Sequence, residues 1–212
     1  ICRIVDPVPF LAAAENTTKS EGGADAEDDE AYRERIHEAP EKFSTAGPTL
    51  AYEYHAKTAS ALIADVSVDS PAPGEVDVYP LLKGGVIPGE EILALVREKL
   101  NDRRIRPLTD KVSVKAPASV TYDVDAVYYI DRCDATEAAA IQTRAETAVR
   151  EFIAWQKEKL GRDINPTELC YRLRAAGVKR AEIKSPVFTV TDKKQIAIAG
   201  NVNVSLGGLE DE

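Results

Sequence analysis

The clearest pattern in the chain is a strict alternation of apolar and polar residues that begins just after Pro117. The polar positions include Thr121, Asp123 and Asp125, and the apolar positions between and after them are Val120, Tyr122, Val124, Ala126, Tyr128 and Ile130. A period of two predicts a strand that is buried on one face and solvent-facing on the other, as in antiparallel sheets. Pro117 is therefore the predicted boundary between two structural units.

A second strong pattern is a complete helix start near the end of the chain. Asn165 stands at the N-cap, Pro166 at the first helical position and Glu168 three residues after the cap. This spacing predicts a capping box, in which the cap and the glutamate satisfy each other's backbone N–H groups. Ile164 and Leu169 flank the cap at the positions of a hydrophobic staple. The block fixes the angle between two helices, and nothing in it is reactive.

The preceding helix is long and amphipathic. It is predicted to begin with a capping box between Asp134 and Glu137 and to end near Leu160, where Gly161 follows. Gly177 is predicted to end the helix that follows. The apolar stripe of the long helix comprises Ile141, Ala145, Ala148, Val149, Phe152, Ile153 and Trp155. Residues 178–183 and 196–206 are predicted strands.

The region before Pro117 has its own sequence of elements. A helix is predicted from about Asp29, with Tyr32, Ile36 and Phe43 on one face, and Pro40 should end or kink it. Gly47 and Pro48 open a second helix, whose apolar positions are Leu50, Ala51, Tyr54 and Thr58. Alternating patterns predict two strands around a turn at residues 70–74, with Ala64, Val66 and Val68 before it and Val76 and Val78 after it. A helix follows Pro88-Gly89, and Val112, Val114 and Ala116 mark another strand.

These elements predict an α+β fold of two small units, each with helices packed on a mainly antiparallel sheet. The predicted divisions are an extended segment and linker at 1–28, a middle domain at 29–117 and a C-terminal domain at 118–212. The chain begins at Ile1 and contains no methionine, so we expect it to be a fragment. Acidic residues crowd 25–30, but no glycine falls among them as a calcium loop requires, and a helix N-terminus is the better interpretation.

Composition narrows the classes of function. The net charge of -9 argues against nucleic-acid binding, which needs a basic excess to neutralise phosphates. The short basic run at 103–106 is more typical of a solvated loop or a site for partner salt bridges. Three widely spaced cysteines (Cys2, Cys133 and Cys170) fit neither a disulfide framework nor a zinc signature. Reduced structural thiols are the favoured interpretation.

Candidate chemistry is sparse. His37 and His55 lack the convergent neighbours that a metal ligand set needs, and packed or surface histidines are expected. Gly84-Gly85 precedes Glu90 and Glu91, which would repel a phosphate, so a turn is favoured. Asp123 and Asp125 form a carboxylate pair for which glycosidase-like chemistry is conceivable, although exposed strand acids usually protect a sheet from unwanted pairing. The sequence therefore predicts no catalytic, cofactor-binding or metal-binding residues.

Stretches along nearly the whole chain, in order, resemble one family. They are 16–18, 22–27, 29–36, 44–48, 106–110, 160–169, 177–180 and the Gly-Gly-Leu-Glu-Asp ending at 207–211. In these stretches the chain resembles the baseplate assembly protein J family of contractile-tail bacteriophages. Family members carry a further region ahead of the position of Ile1, so the resemblance covers their middle and C-terminal parts.

The resemblance implies a structural wedge protein of a tail baseplate, assembled in the host cytoplasm and located in the virion. It implies as partners other baseplate proteins and further copies of the same chain, with no cofactor, nucleic acid, membrane or small-molecule substrate. A wedge of a tailocin or a contractile secretion device is the alternative within this class, and a cell-envelope hydrolase is the alternative outside it. The apolar stripe of the long helix is wider than one small sheet needs, so we expect part of it to pack on another subunit. The helical hairpin at 134–176 is therefore the expected assembly element, with Phe152 and Trp155 as anchors.

Overall fold

The computed structural model describes residues 29–40 and 48–211. The predictions for residues 1–28, Phe43 and Gly47 lie outside these ranges. The helices are α1 (Asp29–Glu38), α2 (Thr49–Lys57), α3 (Glu90–Leu100), α4 (Ala138–Gln156) and α5 (Pro166–Ala175). The strands are β1 (Ile63–Asp69), β2 (Glu75–Leu82), β3 (Lys111–Val114), β4 (Ala118–Asp131), β5 (Arg180–Ser185) and β6 (Gln195–Glu210). The α+β class and the order of elements agree with the prediction.

The first unit contains a three-stranded sheet in the order β1-β2-β3. The turn predicted at 70–74 joins β1 and β2 as an antiparallel hairpin, whereas β3 pairs with β2 in parallel, with Glu75 opposite Lys111. Helices α2 and α3 pack on this sheet, and the shared core includes Tyr52, Ala56, Val66, Val78, Leu93, Val96 and Leu100.

The second unit contains a sheet in the order β5-β4-β6. The alternating strand is its centre. Strand β4 pairs antiparallel with β5 from Asp125 to Tyr129, and it pairs parallel with β6 along its whole length. Each sheet therefore has one antiparallel and one parallel pairing, and the sheets are mixed rather than mainly antiparallel. The predicted buried face of β4 is confirmed from Tyr122 onward, because Tyr122, Val124, Ala126, Tyr128 and Ile130 are all buried, whereas Val120 is half-buried.

The start of α5 follows the prediction in most respects. Asn165 Oδ1 accepts a hydrogen bond of 2.9 Å from the Thr167 backbone N–H, and Ile164 and Leu169 are buried in one core. Glu168 differs: its Oε1 accepts from Arg172 Nε at 2.8 Å, one turn along the helix. The cap is therefore one-sided, and the glutamate forms an ion pair instead of closing a capping box.

Both ends of α4 differ from the prediction. The capping box at Asp134 and Glu137 is absent, since residues 132–137 form a short 3₁₀ helix and Asp131 accepts from the Cys133 N–H at 3.0 Å. The helix ends at Gln156, short of Leu160. Gln156 is fully buried, and its Nε2 donates to the carbonyl oxygens of residues 162 and 163 at 2.9 and 3.2 Å. These bonds fix the connection between the two helices.

In three short elements, α1, α2 and β1, the apolar residues that the sequence pattern places on the buried face are not all buried. In α1, Tyr32 and Ile36 are exposed, and the α-helix ends at Glu38, two residues before Pro40. In α2, Leu50 is exposed, and the buried residues are Ala51, Tyr52 and Ala56. In β1, Ala64 is exposed, and the buried positions are Ile63 and Val66. Short elements carry too few turns for the sequence to fix the buried face.

In the described part of the chain, contacts between the two units include two polar ones and one close backbone approach. The Leu160 backbone N–H donates to Asp65 Oδ2 at 2.8 Å, and Lys194 Nζ lies 3.0 Å from Asp69 Oδ2. Gly85 lies so close to Lys157 that a Cβ added there would be 2.8 Å from the lysine Cβ. In β2, Val78 faces the core under α2 and α3, and Tyr79 and Leu81 lie on the opposite face of the strand. All three residues are buried, so both faces of β2 are covered.

Candidate assembly surfaces

In the described part of the chain, the candidate residues for chemistry form no common site. His37 is exposed on α1, and His55 on α2 contacts the Tyr54 ring edge to face. Cys133 is exposed and Cys170 is half-buried, and both are free thiols, while Cys2 lies outside the described residues. Within 29–40 and 48–211, no group of three or more histidine, cysteine or acidic residues is arranged to hold a metal ion. No helix in the same ranges is long and apolar enough to cross a membrane.

The carboxylates of Asp123 and Asp125 serve the sheet. At Asp123, two residues of β6, Gly200 and Asn201, stand opposite one residue of β4, which makes a β-bulge. Asp123 Oδ1 accepts the Asn201 N–H at 2.8 Å, and Asp125 Oδ1 accepts from Asn203 Nδ2 at 3.3 Å. Both bonds run from β4 to its neighbour β6 and stabilise this pairing.

The glycine pair and the basic run also have structural roles. Gly84 and Gly85 lie in a short 3₁₀ turn with φ of 72° at each residue, as the turn interpretation predicts. In the basic connection, Arg104 pairs with Asp102 and holds the pKa of that carboxyl down at about 2. Arg106 donates to the Asp110 carbonyl at 2.7 Å, and Tyr52 Oη donates to Asp110 Oδ2 at 2.8 Å. Burial, with help from this bond, raises the pKa of Tyr52.

The helical hairpin carries a groove between α4 and α5. Its volume is about 460 Å³. The lining combines small residues (Ala148, Ala175, Ala176), threonines (Thr143, Thr147), charged residues (Arg144, Glu151, Arg172) and Tyr171. Tyr171 is 67% exposed. An open groove with a mixed lining and an exposed tyrosine is suited to contact with another protein.

Of the two predicted anchors, Phe152 is buried and Trp155 is half-buried. Phe152 is 0% exposed and packs in the core with Tyr122, their rings meeting edge to face at 6.3 Å between centroids. Trp155 packs against the same core, and its ring is covered by the guanidinium groups of Arg162 and Arg172 at 4.0 and 5.5 Å. The expectation that Phe152 anchors a partner is wrong, because the chain's own core already encloses this side chain.

A second surface is the connection between β5 and β6. Val187, Phe188 and Val190 are 69%, 59% and 73% exposed. The backbone around them is fixed on the helix connection, because Ile164 and Thr189 exchange two hydrogen bonds of 2.9 and 3.1 Å. A fixed backbone that presents apolar side chains to solvent is typical of a protein contact site. The sequence pattern gave no warning of this surface, because apolar residues before a strand are usually core.

These features define a class: a two-unit α+β chain with an open groove and exposed apolar residues on its second unit. Two family models match it, described as "Baseplate J-like central domain" over residues 44–116 and "Baseplate J-like protein C-terminal domain" over residues 122–205. The chain belongs to the baseplate J-like family.

The chain is 32% identical over 203 residues to "Baseplate protein J" of Escherichia phage P2. The aligned region covers 95% of this chain and 66% of that protein. It thus spans about two thirds of the length of this curated relative. A cryo-EM structure of the anti-feeding prophage baseplate, 6-fold symmetrised, contains a similar chain. The match covers 70% of the present chain and 36% of that chain. The TM-score is 0.48 and the identity 11%, a likeness too low to support an argument about function.

Proposed function

We propose that this chain is a structural component of a contractile phage tail baseplate, a wedge that acts in assembly through protein–protein contacts. The observation that carries the proposal is the identity with baseplate protein J along nearly the whole chain. The location that follows is the tail baseplate of the virion, after synthesis in the host cytoplasm. The alternative is the same structural role in a related device, as a wedge subunit of a tailocin or a contractile secretion device.

The proposal keeps the division into a segment at 1–28, a middle domain at 29–117 and a C-terminal domain at 118–212. Its partners are other baseplate proteins and further copies of the chain. It assigns no catalytic activity, cofactor or small-molecule substrate. An assay for lysis of purified cell walls tests that part, and cell-wall cleavage by the purified chain would contradict it.

The groove between α4 and α5 is the surface we assign to a partner protein. Tyr171 stands exposed at this groove, and tyrosine is among the residues that contribute most at protein interfaces. The assignment replaces the anchors Phe152 and Trp155, since alanine at Phe152 would test folding and not assembly. It keeps the helical hairpin as the assembly element.

The test is co-expression of the chain with the genes adjacent to its own, followed by measurement of the mass of any complex. We expect a stable complex with at least one neighbouring gene product. The variant Tyr171→Glu should weaken it, because a charge would replace an aromatic contact. The matched control is Leu108→Glu, which places the same charge at a residue that is 96% exposed in the first unit.

Two outcomes would count against the proposal in different ways. A chain that forms no complex with any neighbouring gene product would contradict the wedge role. A complex that is equally stable with Tyr171→Glu and with Leu108→Glu would leave the role standing and remove the groove from it.

A further inference from the structure

Strand β6 forms an outer edge of the second sheet. It is the longest strand in the described part of the chain and pairs there with β4 alone, which leaves the backbone groups of its other side without a strand partner. A long unpaired edge is a template for pairing with another chain, so proteins usually protect it with charged residues or proline.

The edges of the two sheets differ in this protection. Strand β5 carries Arg180, Glu182 and Lys184, β1 carries two aspartates, and β3 begins with a lysine. Strand β6 has no charged residue and no proline from Gln195 to Leu209, in a chain of which 30% is charged. The β6 edge thus has the longest stretch without a charged residue among these four, and its single charged residue, Glu210 at the end of the strand, pairs with Arg180 of β5.

The core of the second unit also continues to this edge without being covered there. Val202 lies opposite Val124, and Leu206 lies opposite Tyr128, both of which are buried on β4. Val202 and Leu206 are themselves 48% and 37% exposed. Another strand added along β6 would bring side chains against this apolar margin, in addition to completing the backbone hydrogen bonds.

The stretch of β6 between its two bulges can pair antiparallel with the same stretch of a second copy. Residues 202–206 pair regularly with β4, and bulges interrupt the register at Gly200-Asn201 on one side and at Gly207 on the other. If two such stretches run antiparallel about Val204, Val202 lies opposite the partner subunit's Leu206, and Asn203 lies opposite the partner subunit's Ser205. The two bulged regions fall opposite one another, so the regular stretches of the two copies coincide.

We propose that a second copy of this chain binds along β6, with the two strands antiparallel and Val204 on the two-fold axis. Two sheets of three strands then become one continuous sheet of six. A second copy is favoured as the occupant because its regular stretch has the same length between bulges, and its apolar residues meet those of β6 without like charges. The inference rests on the proposed function, since it names one of the partners proposed there.

The first experiment measures self-association of the purified chain by analytical ultracentrifugation. We expect a dimer, and we expect the double variant Val202→Lys, Leu206→Lys to raise the dissociation constant by roughly tenfold or more, because it places lysines at the apolar contact. The control is Leu95→Lys, Leu108→Lys, which adds the same two charges at exposed apolar residues of the first unit and should leave the dimer intact. Far-UV circular dichroism establishes that each variant is folded.

The second experiment tests the register by disulfide trapping, in a background where the three native cysteines are replaced by alanine. With Val204 on the axis, two copies of Val204→Cys face each other at a Cα separation of about 4.5–5.5 Å, which a disulfide spans. Two copies of Asn203→Cys stand diagonally, about 7–8 Å apart, beyond the usual reach. We expect oxidation to trap a dimer of the first variant and not of the second.

A monomeric chain would overturn the inference, as would a lysine double variant that still dimerises as the control does or equal trapping at residues 203 and 204. A chain that stays monomeric but forms the complex with neighbouring gene products would overturn the β6 pairing and leave the proposed function intact. A β6 dimer without any complex with neighbouring gene products would leave the β6 pairing standing and contradict the proposed function.

Discussion

Gly84 and Gly85 offer a matched pair of substitutions that tests the junction between the two units. Both residues have φ of 72°, in the left-handed region that disfavours every residue with a Cβ. A Cβ at Gly84 would meet nothing within 4 Å, whereas at Gly85 it would overlap Lys157, both its backbone oxygen and its side chain. The two alanine variants therefore share the same backbone strain and differ only in the overlap with Lys157 of the second unit.

The magnitudes follow from these two terms. Backbone strain should cost either variant about 1–2 kcal/mol. Gly85→Ala adds the cost of inserting a methyl group where none fits, about 1–3 kcal/mol. Lys157 cannot move away freely, because it caps α4 and its N–H donates to the Ile153 carbonyl at 3.4 Å. We expect Gly84→Ala to lose about 1–2 kcal/mol of unfolding free energy and Gly85→Ala roughly 2–5 kcal/mol.

Urea unfolding followed by far-UV circular dichroism measures both losses under the same conditions. Small-angle X-ray scattering adds a second readout, since separation of the units in Gly85→Ala would raise the radius of gyration and Gly84→Ala should leave it unchanged. Equal losses of stability and equal radii for the two variants would refute the reasoning, because they would show that the contact between Gly85 and Lys157 does not stabilise the fold.

Three further outcomes are expected. Phe152→Ala should lose about 3–5 kcal/mol in urea unfolding, because it empties a fully buried site, whereas Tyr171→Ala should stay within about 0.5 kcal/mol; similar losses would contradict the placement of the two rings. Asn165→Ala should cost about 1 kcal/mol by removing the N-cap bond, and an unchanged midpoint would show that water replaces it. The hydrogen bond from Lys194 holds the pKa of Asp69 below its ordinary value of 3.8, so the pair stabilises the fold at neutral pH and its contribution is lost as the pH falls through the lowered pKa. Asp69→Asn should therefore reduce the fall in melting temperature below pH 3.8, and an identical acid profile would contradict this.

Patterns that depend on local chemistry were predicted well. The cap at Asn165, the glycine at 177 with φ of 101° and the alternating face of β4 are properties of a few adjacent residues. The family resemblance was also available from the sequence, because it follows ordered stretches and not one motif. The family models and the phage P2 relative confirm it.

Predictions failed where two or more partners compete for one side chain. Glu168 was equally able to bond the Asn165 N–H or Arg172, and the folded helix brings Arg172 within 2.8 Å. Asp131, not Asp134, caps the turn before α4. The contact surfaces were misplaced for a related reason: a wide apolar stripe on α4 indicates burial, but it does not reveal whether the covering surface is the chain's own sheet or another protein.

The sequence by itself determined the order of the elements, their approximate ends and the face of β4 that is buried, since these depend on interactions within about one helical turn or one strand. The tertiary structure alone decided the strand directions, because β3 reaches β2, and β6 reaches β4, only after the chain has passed through intervening helices. It also decided that Phe152 is enclosed while Tyr171, Phe188 and the β6 edge face solvent. Periodicity records that a residue prefers burial, whereas the available partners depend on which distant segments the fold brings together.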